Sequence, residues 1–246
     1  MTGGKSIAEK FRTQFGVNPH VYRAPGRVNL IGEHRDYNHG FAMPAAIGFY
    51  CWVAASPRKD HKFVVFSEEF RDQAEAGLSS DALRPPHTWS DYSVAVAAPL
   101  EKAGFALAGA NLLIRGEVPI GAGLSSSASI EVATVLALVD ESGLSTDGVR
   151  IARICQQAEN DFVGRRCGIM DQFISLHGSA NHALMLDCRS LQFKLVPIPE
   201  SVRLVVCNTV VKHKLAGENT IDAGKNVKKR CGPSKKSCRV SVRYGT

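Results

Sequence analysis

Residues 119–129 read PIGAGLSSSAS, two glycines and a run of serines between a strand-like stretch and a helix-like one. Gly121 and Gly123 tolerate left-handed backbone, so the chain can turn there with its N–H groups facing inward. A helix expected to begin near Ser126 adds the positive end of its dipole. Together these make a cradle for phosphate, with serine hydroxyls available to a phosphate oxygen or a magnesium ion. The Lys-Ser/Thr ending of a Walker A loop is absent. A flexible Gly/Ser turn with helix-capping serines is the competing reading, and the stretch alone does not separate the two.

Working outward, ANLLIRGEV (110–118), FYCWVAASP (49–57) and KFVVFS (62–67) read as strands, rich in β-branched and aromatic residues. A helical spacing over 91–104 stops at Gly104. Beyond the serines, SSASIEVATVLALVDESG predicts a helix closed by Gly143. A second helix is expected from an N-cap at Thr146 to about Val163, with Ile151, Ile154, Cys155, Ala158 and Phe162 on one face. HALMLDC, FKLVPI and VRLVVCNT then predict further strands, and Ile7, Phe11 and Phe15 mark one face of an early surface helix. Strands and helices do not alternate regularly, so the expected class is α+β rather than a doubly wound sheet.

The 246 residues carry 30 basic and 23 acidic side chains, a net charge of +7, which in a uniform distribution would suggest nucleic-acid binding. The distribution is not uniform. From Asn219 onward there are eight basic residues and one acid, so 22 of each remain in 1–218 and the body is neutral. No nucleic-acid partner is expected for it. Seven cysteines lack CxxC or Cys/His spacing, which argues against a zinc site or disulfide framework and for reduced thiols in the cytoplasm. No apolar run approaches the roughly 20 residues of a membrane span, so no membrane partner is expected either.

Two further segments crowd ionisable groups. In APGRVNLIGEHRDYNHG (24–40), Arg27, Glu33, His34 and Asp36 lie within a few residues of one another. The apolar filler between them predicts a buried strand delivering a polar turn. Carboxylates and an imidazole suit a sugar, whose hydroxyls both donate and accept; a solvated charged turn is the plain alternative. In CGIMDQFISLHG (167–178), Asp171 follows Gly168 among apolar residues. It is either a helix N-cap or a general base, and a base there needs a cationic partner such as Arg27 to stay ionised. Glu159, in QQAEND, reads by itself as an ordinary exposed helix acid.

Taken together, GRVNLIGEHRDYN, PIGAGLSSSAS and CGIMDQF resemble the galactokinase family of the GHMP kinase superfamily, in the family's order, over about Val21 to Glu218. The resemblance implies a two-domain α+β GHMP-kinase-like fold with its active site in the cleft between domains. It implies a galactose- and ATP-binding N-terminal domain over 1–178, with a C-terminal domain beginning at 179–218 and largely missing. It further implies ATP-dependent phosphorylation of galactose at its C1 hydroxyl, with Asp171 as proton acceptor and Arg27 stabilising both that aspartate and the transferring group. Glu33, His34, Arg35, Asp36 and Gly168 would hold the sugar. Ser67 and the loop Gly121, Ala122, Gly123, Leu124, Ser125, Ser126 and Ser127 would hold ATP, with Ser127 and Glu159 at Mg2+. The family usually has Thr at the position of Arg35, and Lys214 stands where an acidic or polar residue is common. A monomer is expected. Kinases acting on N-acetylgalactosamine or arabinose, and a sugar sensor without turnover, are the alternative readings; the intact serine loop favours catalysis.

The last stretch, 219–246, lacks any helical or strand period. Read in the neighbouring frame, its codons can encode a continuation of the kind the family carries, including a sugar-contacting tyrosine. The expectation is therefore an out-of-frame tail on a truncated chain, with a basic nucleic-acid arm as the weaker alternative.

Overall fold

The computed structural model describes residues 2–77 and 88–207. Helix α1 (Thr2–Phe15) precedes a long hairpin of β1 (His20–Ile31) and β2 (Phe41–Arg58). A second antiparallel pair follows, β3 (Lys62–Ser67) with β4 (Asp72–Gly77). Helices α2 (Asp91–Ala95) and α3 (Ala97–Lys102) lead to β5 (Gly109–Gly116). Then come α4 (Ser126–Glu141), α5 (Gly148–Ala158), α6 (Met170–His177) and a last hairpin of β6 (His182–Asp187) and β7 (Phe193–Pro197). One sheet holds these strands in the order β4-β3-β5-β2-β6-β7, with β1 lying along β2. This is the α+β class expected; the sheet is largely antiparallel, with β3 and β5 paired in parallel.

The second half of β2 shows why the sheet is covered on both faces. Cys51 to Ser56 are all buried, and successive side chains point to opposite layers. Cys51, Val53 and Ala55 enter the main core with Val132, Val135 and Leu138 of α4 and Ile154 of α5. Trp52 and Ala54 face the other way, against Ile7 and Phe11 of α1 and Leu113 of β5. A third cluster packs Phe173 and Ile174 of α6 on Leu184 and Leu186 of β6. Phe11 is fully buried in the smaller α1 layer. Phe11→Ala is expected to cost about 3–5 kcal/mol in denaturant unfolding, and a loss under about 1 kcal/mol would mean that α1 contributes little to the fold.

Several elements depart from expectation for identifiable reasons. The helix over 91–104 is broken at Val96, because Pro99 lacks an N–H and its ring crowds the carbonyl four residues back, that of Ala95. The cap of α5 is Asp147, not Thr146; its side chain accepts from the Arg150 N–H at 2.9 Å. β2 begins at Phe41 rather than near Phe49, and β4 was not foreseen. Residues 202–207 of VRLVVCNT take no regular structure, and the remainder lies outside the described residues. β1 is not the buried strand expected, since Leu30 and Ile31 are 38% and 67% exposed. In the stretch 179–218, β6 and β7 extend the same sheet through β2. Lys214, Glu218 and the expected out-of-frame tail lie outside the described residues.

One irregularity in β1 positions the site. The ladder with β2 slips between Pro25 and Arg27. At the slip, Gly26 lies so close to the serine loop that a Cβ would stand 2.7 Å from the Leu124 carbonyl oxygen. The Arg27 N–H donates to that same oxygen at 3.0 Å. The bulge thus fastens the polar end of β1 to the loop before α4.

Candidate functional site

Arg27 and Asp171, 144 positions apart, meet at the centre of the site. Arg27 Nε donates to Asp171 Oδ1 at 2.8 Å and Nη2 to Oδ2 at 2.7 Å, a two-pronged ion pair that is half-buried. Nη1 donates to the Gly123 carbonyl at 2.6 Å, so one guanidinium ties the carboxylate to the loop. Asp171 does not cap α6. The residue before that helix is Ile169, and Asp171 sits inside its first turn. Of the two readings of Asp171, the cap is excluded.

The loop before α4 is built on left-handed backbone. Gly121, Gly123 and Ser125 take φ of +74°, +72° and +59°, every second residue left-handed, which turns consecutive N–H groups into one concavity. The sixteen-residue α4 starts directly after it. Ser125, expected at the nucleotide, donates its hydroxyl to Asp171 Oδ2 at 2.5 Å. Ser126 and Ser127 line an adjoining cavity of about 360 Å³ together with Gly121 and Ser67. Other walls of this cavity were not singled out in the sequence: Phe70 and Trp89, whose rings stack 5.8 Å apart, with Tyr92 and Arg165. Phe70 and Trp89 are 19 residues apart on either side of a segment outside the described residues, so no local pattern could have paired them.

The polar turn after β1 reaches the same centre from the other side. Asp36 lies against Gly168, where a Cβ would stand 1.9 Å from Asp36 Oδ2. Burial raises the Asp36 pKa, the Asp171 carboxylate raises it further, and the backbone N–H groups of Tyr37 and Met170 act in the opposite direction. Glu33 and His34 are exposed on the turn and bonded to near neighbours, Glu33 by the Asn29 amide and His34 to the Tyr37 hydroxyl. The Arg35 stem covers Gly40.

Glu159 is not the exposed helix acid that its sequence context suggested. It opens a π-helical turn (Glu159–Val163) at the end of α5 and is 6% exposed. Burial raises its pKa, and the Asp171 carboxylate adds to this, while the Cys167 thiol and Ser127 hydroxyl bond the ionised form. Gln172 Nε2 donates to its Oε2 at 2.8 Å. Among the described residues no three acids, histidines or cysteines form a ready-made metal cage.

Residues 9–57 match the galactokinase galactose-binding signature, and residues 91–179 match the N-terminal domain of GHMP kinases. The chain is 46% identical over 212 residues to a galactokinase of Roseiflexus, covering 85% of this chain and 54% of that one. It is 46% identical over 213 residues to a galactokinase of Chloroflexus aggregans, covering 86% and 55%. The chain thus spans about half the length of the curated relatives it matches. Among solved structures, the Lactococcus lactis galactokinase complexed with galactose aligns with a TM-score of 0.77 at 32% identity, over 93% of this chain and 62% of that one. The Methanococcus jannaschii mevalonate kinase, at 18% identity and a TM-score of 0.62 over 73% and 56%, shares the fold. With the galactose-binding signature and the GHMP kinase domain both matched in one chain, and galactokinases 46% identical over some 85% of it, the chain belongs to the galactokinase family of GHMP kinases.

Proposed function

We propose that the protein transfers the terminal phosphoryl group of ATP to the C1 hydroxyl of galactose, giving galactose 1-phosphate and ADP. The observation that carries the reading is the placement of Asp171, held by Arg27 between the Asp36 turn and the serine loop. Phosphoryl transfer asks mainly for positioning and charge neutralisation, and this arrangement supplies both. Asp171 takes the hydroxyl proton at Oδ1, which accepts one protein hydrogen bond while Oδ2 accepts two. Arg27 holds the carboxylate in place with both prongs of its guanidinium until then. Three of its five N–H donors are engaged, leaving two for a phosphoryl oxygen. The loop N–H groups hold the phosphates, and the aromatic-lined cavity beside Ser127 accommodates the base. Asp36, Glu33 and His34 present their side chains to sugar hydroxyls, as suits a relative crystallised with galactose.

The donor set near the loop fits Mg2+. Glu159 and Ser127 offer hard oxygen ligands, and Mg2+ characteristically takes one or two carboxylates and completes its shell with waters and substrate phosphates. Bound there, the ion would neutralise phosphate charge. Ser127→Ala and Glu159→Gln are each expected to raise the Mg2+ concentration for half-maximal rate, by about 10–100-fold if each removes a metal contact. Unchanged titrations in both would return them to a helix residue and a buried structural acid. The reading includes a monomer, with the site built from one chain, in the cytoplasm, where the free thiols of Cys51, Cys155, Cys167 and Cys188 suit a reducing environment.

The test is galactose-dependent ADP release, measured for the 246-residue chain and for one shifted by a single base just before Asn219. Turnover by either supports the reading. No sugar-dependent turnover by both contradicts it.

A further inference from the structure

Behind Asp171 lies a buried polar group with no part in the scheme above. Gln172, the next residue of α6, is wholly shielded from solvent, as is Glu131 of α4. Gln172 Nε2 donates to Glu159 Oε2 at 2.8 Å and to Glu131 Oε2 at 3.2 Å, so both amide hydrogens are spent on carboxylates from two other elements. The remaining oxygens, Gln172 Oε1 and Glu131 Oε1, have no hydrogen-bond partner among the described residues. A buried polar pair left half-satisfied is a poor device for stability, since apolar residues of equal volume would serve as well or better. Its cost calls for another role.

We propose that Gln172 is a positioning residue whose side-chain amide fixes the Glu159 carboxylate for a divalent cation and, through Glu131, anchors it to α4. The inference rests on the reading of Glu159 as a cation ligand. Glu159 needs such a brace because it sits where α5 gives way to a π-helical turn, whose extra residue changes the direction of side chains relative to a regular helix. Gln172 and Asp171 are consecutive, so one turn of α6 sets both the proton acceptor against Arg27 and the brace against Glu159. The separation between base and cation is thereby held by a single rigid element. Groups that orient a metal ligand from behind commonly control affinity without touching the metal.

The experiment compares the 246-residue chain with its Gln172→Met, Gln172→Asn, Glu131→Gln and Glu159→Gln variants. Mn2+ binding in the presence of ADP is followed by electron paramagnetic resonance, alongside metal-free ADP binding and a thermal melt. Gln172→Met keeps volume and loses the donor; Gln172→Asn keeps the amide but draws it back by one methylene. Both are expected to weaken Mn2+ binding by about 10–100-fold with metal-free ADP binding unchanged. Glu131→Gln retains an acceptor oxygen and should stay near the parent value. Wild-type Mn2+ affinity in folded Gln172→Asn overturns the proposal, as does an equal loss of Mn2+ and metal-free ADP binding, and if Gln172→Met does not fold the asparagine variant decides. Unchanged Mn2+ binding in Glu159→Gln removes the cation reading itself, and the brace with it.

Discussion

Replacing Asp171 by Asn is expected to lower phosphoryl transfer by about 10²–10⁴-fold, in whichever chain turns over, while nucleotide binding survives. The amide cannot take up the hydroxyl proton. It also presents an NH2 group where one carboxylate oxygen now faces the Arg27 guanidinium, so one prong of the pair is lost. Ser125 can still bond the remaining oxygen, and the loop stays clamped to Arg27 through Gly123. The loss should therefore fall on kcat rather than on the KM for ATP. A merely structural Asp171 would give a stability loss on the order of 1 kcal/mol with turnover largely retained. Steady-state rates beside a thermal melt separate the two.

Gly168→Ala should be nearly as damaging, and through the sugar. The methyl group would stand 1.9 Å from Asp36 Oδ2 and 2.1 Å from its Cγ, distances that cannot be accommodated without moving the carboxylate or the α6 entry. Asp36 is held by the Met170 N–H, one residue before Asp171, so the shift passes directly to the base. A misplacement of about 1 Å costs on the order of 10²-fold in kcat/KM, expected here with a raised KM for galactose and an ATP affinity close to normal. If Gly168→Ala binds galactose normally, Asp36 does not contact the sugar.

What was legible in the sequence follows from how each element is stabilised. KFVVFS announces a strand by its β-branched and aromatic run, the Ile7, Phe11, Phe15 stripe announces a helix by its period, and both appear as expected. β4, with the sequence DQAEAG, is a polar edge strand held by its backbone ladder to β3, and nothing in its composition announces it. The Pro99 break was available from stereochemistry alone, because a proline four residues past Ala95 cannot continue that helix. In the site, Arg27 and Asp171 could be named as partners in advance, since a buried base needs a cation. The Ser125 hydroxyl could not be assigned, because one loop can aim a serine at a phosphate or backward at a carboxylate. Glu131 was hidden inside an apolar helical run, and Glu159 passed as a surface acid until the π turn and Gln172 accounted for its burial.

Phosphorus NMR of a reaction containing ATP, Mg2+ and galactose, run with the parent chain, its frame-shifted counterpart and Asp171→Asn, tests whether Asp171 drives phosphoryl transfer to the galactose C1 hydroxyl. Such a role requires a galactose 1-phosphate resonance growing in step with ADP in at least one active parent, and none above background in the Asp171 variant. Inorganic phosphate without sugar phosphate, phosphate on a different hydroxyl, or undiminished product with Asp171→Asn would contradict it.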